Sequence, residues 1–177
     1  DTVFLVTTLE ELIIAFPNNF INVEIKQSGE TGIDALHAVI NLMEELEEYH
    51  TFERIVLASF HKEVYDALVN MHETSHPQLL FSPEVRGVVG FFLLNMLGLG
   101  WFYDSSITVL QVPMKQAGIN LATKAFVNAA HRHNIAVHYW TIDDEEDMQR
   151  LIDIGADGIM TNRPTILKQI LDDYPVE

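Results

Sequence analysis

The sequence contains no cysteine, which excludes a disulfide framework, a cysteine-ligated zinc ion and an iron–sulfur cluster. Basic residues are also scarce: 10 lysines and arginines stand against 26 aspartates and glutamates, for a formal net charge of −16 at pH 7. Such a surface repels nucleic acid and anionic headgroups, and no cluster of lysine or arginine reverses this locally. We therefore expect no nucleic-acid partner. Solubility alone accounts for the acidity, although an anionic substrate would require a bound cation.

Long apolar runs are rare as well. The longest run without a charged residue extends from Gly87 to Tyr103, about 17 residues, at the lower limit for crossing a bilayer. Its glycines and Asn95 weaken it further, and the run predicts a buried helix followed by an apolar loop. Within it, Phe91–Tyr103 is the candidate for a peripheral membrane contact. A cytoplasmic or a membrane-associated protein is compatible with this pattern, and the residues do not fix the compartment.

Short β-branched runs alternate with amphipathic helical patterns along the chain, which favours an α/β fold with parallel strands. Six strands are predicted, at 20–26, 54–60, 78–81, 107–112, 135–142 and 158–161. A short helix at 8–16 precedes them, and a helix follows each strand. A (β/α)₈ (TIM) barrel needs eight such units and about 250 residues. The pattern thus predicts a single partial barrel domain over 1–177 with six of the eight units; a six-stranded open sheet is the alternative.

Helix boundaries are predicted from residues that cap helices in general. Asn134 and Gly155 are expected to end the helices before the fifth and sixth strands. The expected N-terminal caps are Ser82 (followed by Pro83), Thr123, Asp143 (with Glu146 three residues on) and Asn162 (followed by Pro164).

The first strand carries the most informative side chains. Residues alternate faces along a strand, so Asn22, Glu24 and Lys26 share the face opposite Ile21, Val23 and Ile25. In a barrel this polar face would point into the core, where an unpaired carboxylate or ammonium is costly. The C-terminal ends of barrel strands also carry active sites. Glu24 could then ligate a metal or act as a base, and Lys26 could bind an anionic oxygen. The alternative is an exposed edge strand with a solvated ion pair.

Other candidate residues are less specific. His138 and Trp140 share one face of the fifth strand, and a histidine at that depth is more often a hydrogen-bonded core residue than a catalyst. His61 follows a strand end, which suits a site residue. The aromatic segment Trp101–Tyr103 could form the wall of an apolar pocket or simply pack a loop. The acidic run Asp143–Asp147 fits a helix N-terminus better than a metal site.

Several of these segments, taken in order, resemble the glycerophosphodiester phosphodiesterase family. Residues 8–17 together with Asn22-Val23-Glu24-Ile25-Lys26 resemble its middle signature, and Ser59-Phe60 matches the next strand end. Leu110-Gln111-Val112-Pro113 is similar to a segment of one branch. Trp140-Thr141-Ile142-Asp143-Asp144 and the stretch from Gly155 to Pro164 are similar to its C-terminal signature.

The resemblance implies a TIM barrel that hydrolyses glycerophosphodiesters, lysophospholipids among them, to glycerol 3-phosphate and an alcohol. It implies a divalent ion, Mg²⁺ or Ca²⁺, with Glu24 as a metal ligand, Lys26 as a phosphate contact and Trp140 at the wall of the site. The apolar stretch 91–103 favours a substrate or neighbour with an acyl chain.

The sequence departs from the family pattern at its start. The His-Arg-Gly motif, the Glu-x-Asp pair of metal ligands and the His-Asp motif are absent, so no catalytic histidine can be assigned in this chain. Asn162 stands where the family commonly has aspartate. We expect either an enzyme whose N-terminal quarter lies outside these residues, or a truncated, inactive barrel that acts as a binding module. Exposed sheet edges would then favour self-association.

Overall fold

The structure is a computed structural model that describes residues 6–83, 85–96, 107–116 and 118–174. The chain divides into two compact units, Asp1–Glu84 and Val85–Glu177, and each is described by itself. The units contain parallel strands and helices in alternation, as the sequence pattern predicts.

The first unit is built on a three-stranded parallel sheet in the order β1-β2-β3. Its core is mainly aliphatic, with the buried rings of Phe52 and Phe81, and forms where the apolar faces of the helices pack on the sheet. Leu57 on the central strand, Leu36 and Leu68 on two helices are all fully buried. In chain order its elements are α1 (Leu9–Ala15), β1 (Ile21–Glu24), α2 (Gly29–Glu45), a 3₁₀ turn (Glu47–Tyr49), α3 (Thr51–Arg54), β2 (Ile55–Ala58), α4 (Lys62–Thr74) and β3 (Leu80–Phe81).

The second unit contains a second three-stranded parallel sheet, in the order β4-β7-β8. Val112, Val137 and Leu151 lie in its core with no exposed surface. Its elements are α5 (Val85–Met96), β4 (Val109–Val112), β5 (Lys115–Gln116), β6 (Ile119–Asn120), α6 (Lys124–His131), β7 (Ala136–Tyr139), α7 (Glu145–Asp153), β8 (Gly158–Ile159) and α8 (Pro164–Asp173).

Two features of the fold differ from the sequence pattern. The strands β5 and β6, which the pattern does not predict, pair as a short antiparallel hairpin, and Gly118 between them adopts φ +81°, a conformation that glycine accepts readily. The helix α3 is a single turn, and it contains Arg54, which the pattern assigns to the second strand.

The predicted caps Thr123 and Gly155 are correct, whereas Asn134 lies two residues beyond Arg132, the C-cap of α6. Thr123 accepts a hydrogen bond from the backbone N–H of Phe126 at the start of α6. Asn134 (φ 57°) and Gly155 (φ 86°) adopt the left-handed conformation just after α6 and α7.

Three predicted N-caps are wrong. Asp144, not Asp143, caps α7 by accepting the N–H groups of Glu146 and Asp147. Arg163, not Asn162, occupies the N-cap position of α8. Ser82 donates its N–H to Leu57 and so extends the sheet, and α5 begins only at Val85. In each case the polar side chain or backbone group has a tertiary partner that local sequence does not reveal.

Among the described helices, none is long and apolar enough to cross a membrane. The apolar run predicted at 87–103 forms the greater part of α5, in which Phe91 is buried and Leu93 is 42% exposed. The rest of that run, including Trp101–Tyr103, lies outside the described residues.

Candidate active site

The polar face of β1 carries an ion pair at its C-terminal end. The Nζ of Lys26 lies 3.4 Å from the Oε2 of Glu24, with side-chain exposures of 74% and 31%. The opposite face of the strand packs inward, with Ile25 only 3% exposed. The predicted alternation of faces is therefore confirmed within the first unit. The structure shows a solvated ion pair, as the edge-strand interpretation expects. The pair lies at the C-terminal end of the strand, where the active-site interpretation also requires these two residues.

The neighbouring strand presents a small side chain beside Glu24. Glu24 is in register with Ala58 of β2, whose methyl group is the smallest side chain that a sheet position can carry apart from hydrogen. On the same strand, Leu57 points to the opposite face and is fully buried. The Glu24 carboxylate is thus flanked by Lys26 on its own strand and by a short side chain across the ladder.

Hydrogen bonds from the segment after β2 fix the end of β1. The hydroxyl of Ser59 donates to the carbonyl oxygen of Ile25 (2.9 Å) and accepts the N–H of His61 (3.2 Å). The Nε2 atom of His61 lies 3.0 Å from the carbonyl oxygen of Lys26. A carbonyl can only accept, so this nitrogen carries the hydrogen. His61, a weak candidate in the sequence, therefore contacts the backbone of the site and not its polar face.

A second contact holds the loop that leaves the site. The backbone N–H of Gly29 donates to the Oε1 of Glu63, at 2.8 Å. This hydrogen bond, followed by one from the backbone of Glu63 itself, lowers the pKa of the Glu63 carboxyl. Gly29 adopts φ +59°, so a side chain at this position would be strained. The start of α4 and the residue before it, His61, therefore contact the β1–α2 connection at two points.

Trp140 lies in the second unit, directly after β7, and is partly buried. Its backbone N–H donates to Val112 (3.1 Å), so the tryptophan continues the β4–β7 ladder. The peptide bond between Trp140 and Thr141 is cis. The backbone of Trp140 is thus held against the end of β4 in its own unit.

His138 occupies the same face of β7 one step before Trp140. Burial lowers the pKa of the His138 imidazole, and the nearby Asp157 opposes this shift only in part. Its ring rests against Gly158 of β8, where a methyl group in place of the glycine hydrogen would come within 2.6 Å of Cδ2. The glycine of the Asp157-Gly158 dipeptide is thus explained by packing against the partly buried ring of His138.

Asp143 accepts three hydrogen bonds from the segment that follows β8. It accepts the hydroxyl of Thr161 (3.0 Å), the backbone N–H of Asn162 (2.8 Å) and the side-chain amide of Asn162 (2.9 Å). The amide of Asn162 is the main cause of the lowered pKa of Asp143, and the backbone N–H of Asn162 is the next. The guanidinium of Arg163 donates to the Asp143 carbonyl oxygen (3.1 Å). Hydrogen bonds therefore join the two segments of the C-terminal signature, residues 140–144 and 155–164.

Asp157 connects a helix to a strand in the same way. One oxygen of its carboxylate accepts the backbone N–H of Val137 and lies 2.8 Å from the Nε2 of His131. Asp157 lies between Ala156 and Gly158, and this local sequence carries no signal of its role.

No group of three or more histidines, aspartates or glutamates in the described part of the chain is arranged to hold a metal ion. Two open grooves border α7 and α8, and their walls include the polar residues Glu145, Gln149 and Asp173. None of the predicted site residues Glu24, Lys26 or Trp140 lines these grooves. We place the candidate site at the ion pair and not at the grooves, because a strand end with opposed charges offers chemistry that a shallow polar surface does not.

An α/β protein with parallel strands and charged groups at their C-terminal ends is the class that these features define. The sequence profile of the Glycerophosphoryl diester phosphodiesterase family matches residues 2–166. The chain belongs to this family, as the resemblance predicted.

Curated relatives agree with the assignment. The chain is 25% identical over 169 residues to the probable glycerophosphodiester phosphodiesterase 2 of Mycobacterium tuberculosis, covering 94% of the chain and 60% of the relative. It is 24% identical over 186 residues to the human lysophospholipase D GDPD1, covering 94% of the chain and 56% of the relative. The chain thus spans less than two thirds of the length of these relatives.

Solved structures of similar fold include a glycerophosphodiester phosphodiesterase from Parabacteroides distasonis, with a TM-score of 0.63, 18% identity, and coverage of 93% of this chain and 63% of that one. A glycerophosphodiester phosphodiesterase from Agrobacterium tumefaciens gives the same TM-score at 12% identity, with 93% and 61% coverage. Family and neighbours imply a TIM-barrel-like α/β fold.

Proposed function

We propose that the protein containing this chain hydrolyses glycerophosphodiesters to glycerol 3-phosphate and an alcohol, with the help of a divalent cation. The observation that carries the proposal is the Glu24–Lys26 pair at the C-terminal end of β1, in a member of this family. We further propose that the chain supplies six of the eight βα units of a barrel, in which this strand end opens onto the active site.

The two charged groups have complementary tasks. The Glu24 carboxylate is a hard oxygen donor of the kind that Mg²⁺ and Ca²⁺ prefer. The Lys26 ammonium would bind a non-bridging phosphate oxygen and offset its charge as the pentacoordinate transition state forms. A bound cation would stabilise the developing negative charge on the phosphate oxygens. Trp140 is proposed as a further substrate contact, on the basis of its match to the family's C-terminal signature.

Glu24 alone does not hold such an ion. Mg²⁺ takes about six ligands and Ca²⁺ six to eight, so the remaining oxygens would come from water, substrate and residues beyond those described here. The general acid and base of the proposed reaction would likewise come from residues beyond those described here, because none of the histidines in this chain matches the family's catalytic motifs. The chain contributes one metal ligand and one phosphate contact to the proposed reaction.

The test measures release of glycerol 3-phosphate from glycerophosphocholine by the full-length protein, with added Mg²⁺, Ca²⁺ or a chelator. We expect activity that the chelator abolishes, and Glu24→Gln to lower kcat/KM by at least about 100-fold, as for loss of a major electrostatic contact in the transition state. Glu30→Gln, which neutralises an exposed glutamate of the same unit, is the matched control and should leave kcat/KM unchanged.

Two results would overturn the proposal. The first is full activity in Glu24→Gln, which would remove the metal-ligand role. The second is a folded full-length protein that hydrolyses no glycerophosphodiester or lysophospholipid with any divalent ion, which would instead favour the binding-module interpretation.

Lysophospholipids are proposed as a further substrate class. Support comes from the lysophospholipase D relatives and from the apolar segment 91–103, which we propose contacts acyl chains or a membrane surface peripherally. Comparing turnover of long-chain lysophosphatidylcholine with that of glycerophosphocholine tests this: equal kcat/KM values for the two would argue against an acyl-chain contact.

Self-association through the outer edges of β1 and β3 is proposed for the isolated chain, and sedimentation velocity would detect it.

A further inference from the structure

Lys26, the proposed phosphate contact, lies near the start of the connection from β1 to α2. Its side chain makes few contacts. The side chain is 74% exposed, and the contact its ammonium makes is the ion pair with Glu24. A flexible four-carbon side chain in water adopts many rotamers. The direction in which this lysine points is therefore governed by the backbone from which it starts.

That backbone is fixed from outside the strand. The β1–β2 ladder continues one step past Glu24, where the N–H of Ile25 donates to the carbonyl oxygen of Ala58 (2.8 Å). Beyond that step, the Ser59 hydroxyl donates to the carbonyl of Ile25 and the His61 ring donates to the carbonyl of Lys26. Side-chain donors thus replace the ladder hydrogen bonds at the point where the sheet ends.

Ser59 and His61 are hydrogen-bonded to each other as well as to the end of the strand. Ser59 is 4% exposed, and its oxygen both donates to Ile25 and accepts the N–H of His61, so it places the backbone that carries the imidazole. The ring then spans from the N-cap position of α4 to the carbonyl of Lys26. The hydrogen-bonded unit consists of Ser59, His61 and the peptide groups of Ile25 and Lys26, and we name it the strand-end clamp.

We propose that Ser59 and His61 are positioning residues, which set the direction of Lys26 by holding the carbonyl groups of residues 25 and 26. This inference rests on the proposed function for its kinetic consequence, but the clamp itself is a property of the first unit alone. The hydrogen bonds of both residues go to the backbone and not to the side chains of Glu24 and Lys26, so the role assigned to them is positioning.

The kinetic test is a double-mutant cycle in the full-length protein. His61→Leu removes the donor and should lower kcat/KM for glycerophosphocholine by about 10-fold, since misplacement of a contact by about 1 Å can cost up to 100-fold. In the Lys26→Ala background the same change should cost less than about 2-fold, because residues that act through one contact are not additive. His61→Gln, whose amide can still donate to the carbonyl, should recover most of the activity. His37→Leu, at an exposed histidine of α2, is the matched control and should be silent.

A second measurement does not depend on activity. The amide of Ile25, which donates to the carbonyl oxygen of Ala58, should exchange its hydrogen faster in His61→Leu than in the wild type, and at the same rate in His37→Leu. If the wild type hydrolyses nothing, the proposed function fails, whereas faster exchange at Ile25 still supports the clamp. Unchanged exchange at Ile25, or an equal loss of kcat/KM with and without Lys26, would overturn the inference.

Discussion

Replacing Arg54 should destabilise the first unit strongly, because its guanidinium is buried against backbone carbonyls. The residue is 6% exposed. Its Nε donates to Tyr49 (2.7 Å) and its Nη1 to Phe16 (3.0 Å) and Asn19 (2.9 Å). Its Nη2 donates to Ile13 (3.0 Å). Among the described residues no carboxylate pairs with it, so backbone dipoles alone balance the charge.

The acceptors explain the size of the effect. Ile13 lies in the last turn of α1, which has no basic residue of its own, and the final carbonyls of a helix lack partners within it. The positive charge also complements the negative end of the helix dipole. Each hydrogen bond to a charged group contributes roughly 1.5–3 kcal/mol, less where water can replace it. Since Phe16 and Asn19 are exposed residues, water can reach part of the site, and we expect Arg54→Met to lower the free energy of unfolding by about 3–5 kcal/mol.

Arg54→Lys separates charge from geometry. A single ammonium keeps the charge but cannot reach four carbonyls that are arranged around a planar fork, so we expect it to lose about 2–3 kcal/mol. Urea denaturation followed by circular dichroism measures both variants. Arg132→Met, at an exposed arginine, should change the free energy of unfolding by less than about 0.5 kcal/mol. If Arg54→Met were as mild as this control, or if lysine substituted fully, the account of a buried carbonyl-binding fork would be refuted.

For two further substitutions, Asp143→Asn and Gly32→Ala, the structure predicts the direction of the change in stability. The pKa of Asp143 is lowered in the folded state, so its hydrogen bonds stabilise the fold above the ordinary value of 3.8 and this contribution disappears as the pH falls through the folded-state pKa. Asp143→Asn should therefore be less stable than the wild type near neutral pH, and the difference between their urea midpoints should shrink in acid; a constant difference would contradict this. Gly32→Ala would stabilise an exposed helix by roughly 1 kcal/mol, but here the new methyl group would collide with the carbonyl oxygen of Gln27. We expect a lower melting temperature, and a higher one would show that the β1–α2 connection can move aside.

The sequence was sufficient to predict strands and helix ends that depend only on neighbouring residues. The six strands of the two parallel sheets were predicted within a few residues, because alternation and β-branched runs determine where a strand can form. Thr8 was predicted to begin a helix, and its hydroxyl and the Glu11 carboxylate form a reciprocal capping box. The i, i+2 ion pair of Glu24 with Lys26, which was the alternative to a ligand-binding role, follows from the two-residue period of a strand and is present.

The errors arise where a tertiary partner outweighs a local preference. Asp143 has the sequence of an N-cap, but Asn162 offers its carboxylate two N–H groups from a segment 19 residues away, and Asp144 caps the helix instead. Arg54 has no local signal at all, because its four acceptors come from segments up to 41 residues away. The roles of Ser59 and His61 were missed for the same reason: the carbonyls that they bind belong to the end of the preceding strand.

The contact between Asp143 and Asn162 has a consequence for how this family varies. The amide nitrogen of Asn162 lies 2.9 Å from the Asp143 carboxylate, so an acid at both positions would bring two negative charges together. Where a relative has aspartate at the position of Asn162, the partner at the position of Asp143 should therefore be asparagine, with donor and acceptor exchanged. Acid and amide would then change places as a pair in evolution. An alignment in which the two positions vary independently would show that the two signatures are joined less tightly in the relatives than in this chain.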